Sequence, residues 1–363
     1  MSVAAFDLKD DPRPVLVTGG CGFLGSNLVR ELAARGRNVI ALDNFSRSGA
    51  RENAEWLTAR CGNRLSIEAA DIRDAEALRG PVAGAAAIMH LAGQVAVTTS
   101  MADPLQDFEI NLRGTVNLLE TVRLHNPRAP IVFASTNKVY GKLMEEEALQ
   151  RVDARYAPNE QRLGAGIGEQ APLDFYSPYG CSKGAADQYV RDYARVFGLR
   201  TVVLRMSCIY GPRQFGTEDQ GWIAHFFLRA IHGEPITIYG DGYQVRDALF
   251  VGDAVNAWIG AVDRIDEIAG RIFNLGGGPA ASVSIRELLD LIAELRGRRP
   301  SVRFAPWRPG DQAWYVSDIR AISRALDWRP RTPLRDGLRA LERWLEHRFA
   351  DVAPRARLRE AQA

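Results

Sequence analysis

The chain of 363 residues lacks any apolar stretch of the 18 or more residues that cross a bilayer, so no membrane span is expected. The segment Met1–Asp10 lacks the long apolar core of a secretory leader. An excess of one charge is missing too. Lys and Arg number 46 against 44 Asp and Glu, a net +2 that marks no nucleic-acid or membrane-surface partner. Cysteine is sparse: Cys21, Cys61, Cys181 and Cys208 are scattered without metal-ligand spacing. His90, His125, His225, His232 and His347 are equally dispersed, so no metal site is expected. Scattered cysteines fit a reduced, cytoplasmic compartment. Neither Cys181 nor Cys208 has a histidine placed against it, and both are read as small packing residues. Lysine is scarce beside arginine, a base-composition habit that also suits phosphate recognition. No internal repeat is seen.

What remains is an ordinary globular composition, 46% hydrophobic and 25% charged, with length for one large and one smaller domain. Val15–Thr18 reads as a buried strand, followed by a glycine turn and a helix over about 23–34. Further strands are expected at Val39–Asp43, Leu65–Ala69, 87–91, 131–135 and Thr201–Met206, with helices between them. Asp103 and Pro104 supply an N-cap and a first-turn proline for a helix to about Leu124. Apolar, unalternating strands separated by helices predict a doubly wound parallel α/β sheet. The polar segment 141–175 breaks the pattern and reads as an insertion. After Met206, short strands at 236–239, 247–250 and 271–274 alternate with helices near 222–232, 252–262 and 285–295. They predict a smaller mixed α/β domain over the carboxyl ends of the sheet. The expected division is 13–206 for the nucleotide half and 207–348 mainly for the substrate half, with some segments returning to the first. The tail beyond Phe349 is expected to fray.

Gly19, Gly22 and Gly25 lie between a strand and a helix, where glycine lets the backbone approach a pyrophosphate at the helix N-terminus. Asp43 ends the next strand, 18 residues after Gly25. A carboxylate there accepts from adenine-ribose hydroxyls and repels a 2′-phosphate, which favours NAD over NADP; Arg47 and Arg51 pull the other way. Phe23, Leu24 and Asn44 flank these positions. Asp71 and Ile72 frame an adenine edge or form a solvated loop. Leu91, Ala92 and Gly93 offer small residues where a backbone passes a cofactor, or simply pack closely. Asn111 is equally a buried brace or a ligand contact. Ser135 and Thr136 close the fifth strand, and Met206 the sixth. Tyr179 and Lys183 are four apart on a helix and share a face. An ammonium beside a phenol favours the phenolate, so Tyr179 is expected to titrate below its ordinary value and to exchange a proton with a hydroxyl. Arg246 suits bidentate contact with a diphosphate, or pairs with a nearby Asp. Asp311 accepts from ribose hydroxyls or caps a turn.

The runs TGGCGFLGSN, HLAGQ, STNKVYG, SPYGCSK, YGDGYQVRD and RPGDQ resemble the extended short-chain dehydrogenase/reductase family acting on nucleotide sugars, over about residues 13–348. The segments at 43–50, 135–141 and 213–222 are most similar to the CDP-tyvelose (CDP-paratose) 2-epimerases. The resemblance implies a Rossmann fold, tightly held NAD, and Thr136, Tyr179 and Lys183 as the catalytic set. Lys183 would also reach the nicotinamide ribose. It further implies a nucleotide-diphosphate sugar contacted by Gln94, Thr136, Asn137, Lys138, Tyr239, Gln244, Arg246 and Asp311, and a homo-oligomer, dimer or tetramer. Dehydratases of the family carry Asp-Glu after the catalytic Thr, and related decarboxylases a Glu. Here the pair is Asn137-Lys138, which disfavours both reactions and leaves epimerisation. Many 4-epimerases carry an Asn where this chain has Cys208. A 4-epimerase, another oxidoreductase of the family and a non-catalytic dinucleotide sensor stay open as alternatives.

Overall fold

The computed structural model describes Leu8 and residues 11–144, 146–159 and 164–360, with backbone alone at 146 and 349–360. Seven parallel strands form the central sheet in the order Arg271–Leu275, Thr201–Met206, Ile131–Thr136, Ala87–His90, Val15–Thr18, Val39–Asp43, Leu65–Ala69. The inner strands are buried on both faces, so they read as continuous Val, Ile, Leu and Ala runs. Side chains still alternate. Val15 and Val17 pack with Leu24, Leu28 and Trp258, whereas Leu16 packs with Leu118, Phe133 and Val190 on the other side. Strand order reverses between Val15–Thr18 and Ala87–His90, and the crevice at such a reversal is where open α/β sheets bind ligands.

The expected helix after Asp103 forms in three pieces. Asp103 accepts from the Gln106 amide at 3.0 Å and starts Pro104–Phe108. A π-helical turn, Glu109–Arg113, follows, and Gly114–His125 completes the run. The insertion contains an unforeseen hairpin, Leu149–Val152 with Arg155–Pro158. Arg155 fastens it to Glu287 at 2.6 Å. Residues 160–163 of the insertion, and Met1–Asp10 except Leu8, lie outside the described residues.

Beyond Met206 the chain leaves the sheet and comes back. Helix Val251–Asp263 packs Trp258 and Ile259 into the core under helix Phe23–Ala34. Strand Arg271–Leu275 then pairs parallel with Thr201–Met206 as the sheet's edge. The remainder builds a smaller assembly. Strands 208–210, 245–250, 282–284 and 314–315 make a four-stranded sheet, and 236–239 pairs with 302–305. Helices Trp222–His232 and Ile285–Arg296 supply its core; the latter starts at a Ser284–Glu287 capping box. Helical backbone runs from Leu334 to Glu360, consistent with the strong helix preference of Ala, Arg, Leu and Glu.

Candidate active site

A cavity of about 710 Å³ opens at the carboxyl ends of the central strands. The glycines, Asp43, the catalytic set and every residue expected on the sugar nucleotide line it. Among the described residues there is no cluster of His, Cys, Asp and Glu that could hold a metal ion.

The cofactor end is made by backbone. A Cβ on Gly25 would sit 2.0 Å from the carbonyl oxygen of Gly19, so only glycine lets helix Phe23–Ala34 begin this close to the first strand. That helix starts at Gly22 with no side-chain cap and no acidic residue in its first turn, leaving its amides for an anion. Asp43 accepts from the Cys21 amide at 3.0 Å and the Phe45 amide at 2.9 Å. A carboxylate has roughly four lone-pair sites, so ribose hydroxyls can still be accepted. Burial raises its pKa first, and the amides oppose that. Asp71 is held low by Arg73 and receives the Asn44 amide at 2.8 Å. Arg47 lines the cavity, while Arg51 lies over the Phe45 ring, 5.1 Å from its centroid. The open helix start, the close glycines and the strand-end carboxylate fit a dinucleotide with a free 2′-hydroxyl.

The catalytic candidates stand at the centre. Tyr179 and Lys183 are buried on helix Ser177–Phe197. The Thr136 hydroxyl donates to Asn137 Oδ1 at 3.4 Å and lines the same cavity as Tyr179. The Thr136 hydroxyl also accepts from the Lys138 amide at 3.2 Å. Ser135 faces backwards, donating to Asp187 at 2.7 Å, and Asp187 is gripped by Arg205 at 2.9 Å in a buried ion pair. The expected lowering of Tyr179 is not seen. Burial pushes the phenol up to about 12, the Thr136 hydroxyl works against that, and Asp107 adds to it. Burial pulls Lys183 down to about 8, with Asp187 and Asp107 opposing. The Lys183 ammonium sits 4.2 Å from the Phe133 ring centroid. Spacing on a helix put the two groups on one face; it did not reveal how dry that face is.

At the substrate end, side chains from distant segments meet. Asn137 donates to Gln312 at 3.2 Å, and Gln312 donates to the Gly141 carbonyl at 2.7 Å. The Lys138 ammonium donates to the Gly310 carbonyl at 2.9 Å and lies 3.7 Å from Asp311. Burial lowers Lys138 to about 8. Arg246 donates to the Val245 carbonyl at 2.8 Å. Its neighbour Asp247 faces the other way along the strand, where Ser207 and the Gly278 amide hold it. Among the described residues Arg246 forms no ion pair with Asp247 or another nearby Asp, the alternative reading of it. Arg308 stacks over Tyr239 at 3.6 Å, and the Tyr239 hydroxyl donates to Glu218 at 2.7 Å. Gln244 donates to the Tyr239 carbonyl at 2.6 Å, which leaves its buried Oε1 without a protein partner. Gln94, expected on the substrate, gives its amide instead to Ala96 and Asp107 at 2.8 Å each.

Two cysteine readings divide. Cys208 lines the cavity and receives the Trp222 indole N–H at 3.4 Å. Cys181 is exposed, not packed, because its position on the helix turns away from the sheet.

Sequence reasoning missed Asp107, Ser182 and Arg213. Arg213 has φ +72°, donates to Asn53 at 2.7 Å and stacks on Trp56, Phe215 and Trp344. Ser182 is three residues after Tyr179, and Asp107 four before Asn111, spacings that put each pair on one helical face. Asn111 proves a brace: its Oδ1 accepts the Gln94 amide at 2.9 Å, and a Cβ on Gly93 would meet that oxygen at 2.9 Å.

Three comparisons bear on this site. Residues 15–276 match the model of the NAD dependent epimerase/dehydratase family. The CDP-paratose 2-epimerase of Salmonella typhi is 43% identical over 337 residues, 91% of this chain and 98% of that protein. Among solved structures, the UDP-glucose 4-epimerase of Thermus thermophilus in complex with NAD superposes with a TM-score of 0.76 at 34% identity, covering 92% and 99% of the two chains. A dTDP-glucose 4,6-dehydratase from Streptomyces venezuelae, with NAD bound, gives 0.79 at 30% identity over 92% and 97%. A glycine-built helix start with Asp43 beside it, and Thr136, Tyr179 and Lys183 converging on one cavity, are what such a family needs: the chain is an enzyme of the NAD-dependent epimerase/dehydratase family, and its cofactor is NAD.

Proposed function

We propose that the enzyme epimerises a nucleotide-diphosphate sugar, at C2 of a CDP-hexose, through a transient ketone. The observation that carries this reading is the pair Asn137 and Lys138 beside Thr136. An amide braced by Gln312 and an amine braced by Gly310 and Asp311 stand there, so neither position offers a carboxylic acid to expel water from the sugar. The Salmonella relative, a 2-epimerase by name, supports the choice of carbon.

Position in the cavity supports the following residue roles. Bound NAD supplies the acceptor and donor of hydride at the sugar carbon. Tyr179 takes the proton of the reacting hydroxyl and later returns it, with the Thr136 hydroxyl assisting. Lys183 orients the nicotinamide ribose. Gly19, Gly22, Phe23, Leu24 and Gly25 hold the pyrophosphate, Asp43 and Asn44 the adenosine ribose, and Asp71 and Ile72 the adenine edge. Leu91, Ala92, Gly93, Ser135 and Met206 shape the nicotinamide wall. Arg246 anchors the diphosphate, while Tyr239, Gln244 and Asp311 serve the nucleoside. Residues 13–206 act as the cofactor half, and 207–348, less the returning 251–275, as the substrate half. A homo-oligomer is supported by exposed Leu105, Leu124 and Val196 on neighbouring helices. A reducing cytoplasm is supported by four free cysteines.

The test uses CDP-glucose or a CDP-dideoxyhexose deuterated at C2 or C4, with product configuration read by NMR. Label returned to C2 of an inverted sugar is expected. Formation of the C4 epimer, with no exchange at C2 on any substrate, would replace this reading by a 4-epimerase. Net reduction of added NAD would point to a different oxidoreductase.

A further inference from the structure

Asp107 is almost wholly buried, at 1% exposure, beside the catalytic helix. Three side chains donate to its carboxylate. Ser182 Oγ bonds Oδ2 in a very short contact, and Gln94 and Asn111 reach Oδ1 at 2.8 and 3.1 Å. Asn111 also donates to Ser182 at 3.2 Å, which closes the network. The π-turn Glu109–Arg113 lies between Asp107 and helix Gly114–His125 and contains Asn111; such turns recur at functional sites. Ser182 sits between Tyr179 and Lys183 in sequence. All three of these donors are protein side chains, and Asp107 is not among the residues that line the cavity.

We propose that Asp107 is a positioning residue: through Ser182 it fixes the helix face that carries Tyr179 and Lys183, and it supplies negative charge that balances Lys183. The naming of Tyr179 and Lys183 as catalytic rests on the function proposed above. The charged and titratable groups around Lys183 are Tyr179 and Asp187 on its own helix, with Arg205 paired to Asp187, Asp107 across from it, and His90 on the strand beneath. The short helix Val97–Ala102 brings no titratable group to this packing. Burial raises Asp107, while its donors and Lys183 pull it back. A Cβ on Gly93 would lie 2.9 Å from Asn111 Oδ1 and 3.9 Å from the Lys183 ammonium, so the Asp107 network and Lys183 face one another there, and the Asp107 charge raises both Lys183 and Tyr179.

The test has an arm that does not need turnover. The lysines are Lys9, Lys138, Lys142 and Lys183, few enough for 13C-lysine NMR of the NAD-loaded enzyme, with Lys183 assigned by its loss in Lys183→Arg. In Asp107→Asn the Lys183 titration midpoint should fall by roughly one pH unit. The pH profile of kcat/KM should move to lower pH as a whole, because a coupled pair titrates together. A purely structural role would lower the profile without moving it. Ser182→Ala keeps the charge but cuts the tether: kcat should drop about tenfold with KM little changed and the Lys183 midpoint in place. An unmoved Lys183 midpoint in Asp107→Asn, or full kcat in Ser182→Ala, overturns the proposal. Should Asp107→Asn not fold, Ser182→Ala decides the tether, and Asp107→Ser, which also removes the charge, decides the Lys183 midpoint. If the unaltered enzyme epimerises nothing, the proposed function fails, and the NMR titration still decides whether Asp107 balances Lys183.

Discussion

The two ends of the cavity are built by different means. At the cofactor end, recognition rests on backbone: glycines without a Cβ, an uncapped helix start and one strand-end carboxylate, all within Gly19–Asp43. At the substrate end, Asn137 meets Gln312, Lys138 meets Gly310 and Asp311, and Tyr239 meets Arg308, pairs separated by 69 to 175 residues. A backbone site tolerates little change, yet its requirements are general to any dinucleotide. A side-chain site can be rewritten one residue at a time. Under the proposed function, chemistry common to a family falls to the first end and the choice of substrate to the second.

The largest expected effect falls where the ends meet. Tyr179→Phe deletes one buried oxygen and should lower kcat by roughly 10²–10⁴ while circular dichroism and melting stay near those of the unaltered protein. Thr136→Val should cost less, since the phenol remains. Near-normal turnover by the Phe variant would remove Tyr179 from the mechanism and leave the comparison without its centre.

Next comes the substrate end by itself. Arg246→Ala should raise KM about ten- to a hundredfold, the cost of a charge-assisted contact to a diphosphate, with a smaller change in kcat. NAD retention should be unchanged, measured on the supernatant of the denatured protein. Loss of NAD in this variant would show that the two ends are not separable. Lys138→Met should act in the same direction but more weakly, lowering kcat/KM roughly three- to tenfold. It removes an amine that is held at the Gly310 carbonyl and leaves Thr136 and Tyr179 in place. Here steady-state kinetics with an intact NAD content is the check.

Legibility from sequence follows the same division. The strand runs and the Gly19–Asp43 spacing are local, so the parallel sheet and the cofactor end could be read directly. Tyr179 and Lys183 were readable because four residues make one helical turn. The return of 251–275 to the sheet was harder, since an apolar helix and a short strand look alike in either half. Asp107 was invisible for a different reason. Four-residue spacing puts Asp107 and Asn111 on one face, but nothing local shows that this face meets Ser182, 75 and 71 residues further on. The dryness of Tyr179 was out of reach too, because it comes from packing by segments far apart in sequence.

The smallest effect concerns a group beneath the site, and it tests how rigidly the centre is held. His90 is buried between Thr18 and Thr115, at 2.7 and 3.1 Å. Thr115 gives its own proton to the Asn111 carbonyl at 2.6 Å, so its oxygen accepts from Nε2–H and the Thr18 hydroxyl donates to Nδ1. The neutral ring thus joins the central strand to the π-turn that carries Asn111. Burial, aided by Lys183, pushes its pKa down to about 3 from an ordinary 6.5. Between those values the unfolded chain binds a proton that the folded chain refuses. Stability at this position is therefore complete above about pH 6.5 and is lost progressively as pH falls, by about 1.4 kcal/mol per unit. His90→Gln should lower stability at pH 7 by disturbing both threonines. It should also flatten the decline of urea-unfolding free energy between pH 6.5 and 4 by about one proton. Equal slopes in the two proteins would mean that the ring takes up its proton in place. The bond from His90 to Thr115 would then not be what keeps the π-turn in register with the sheet.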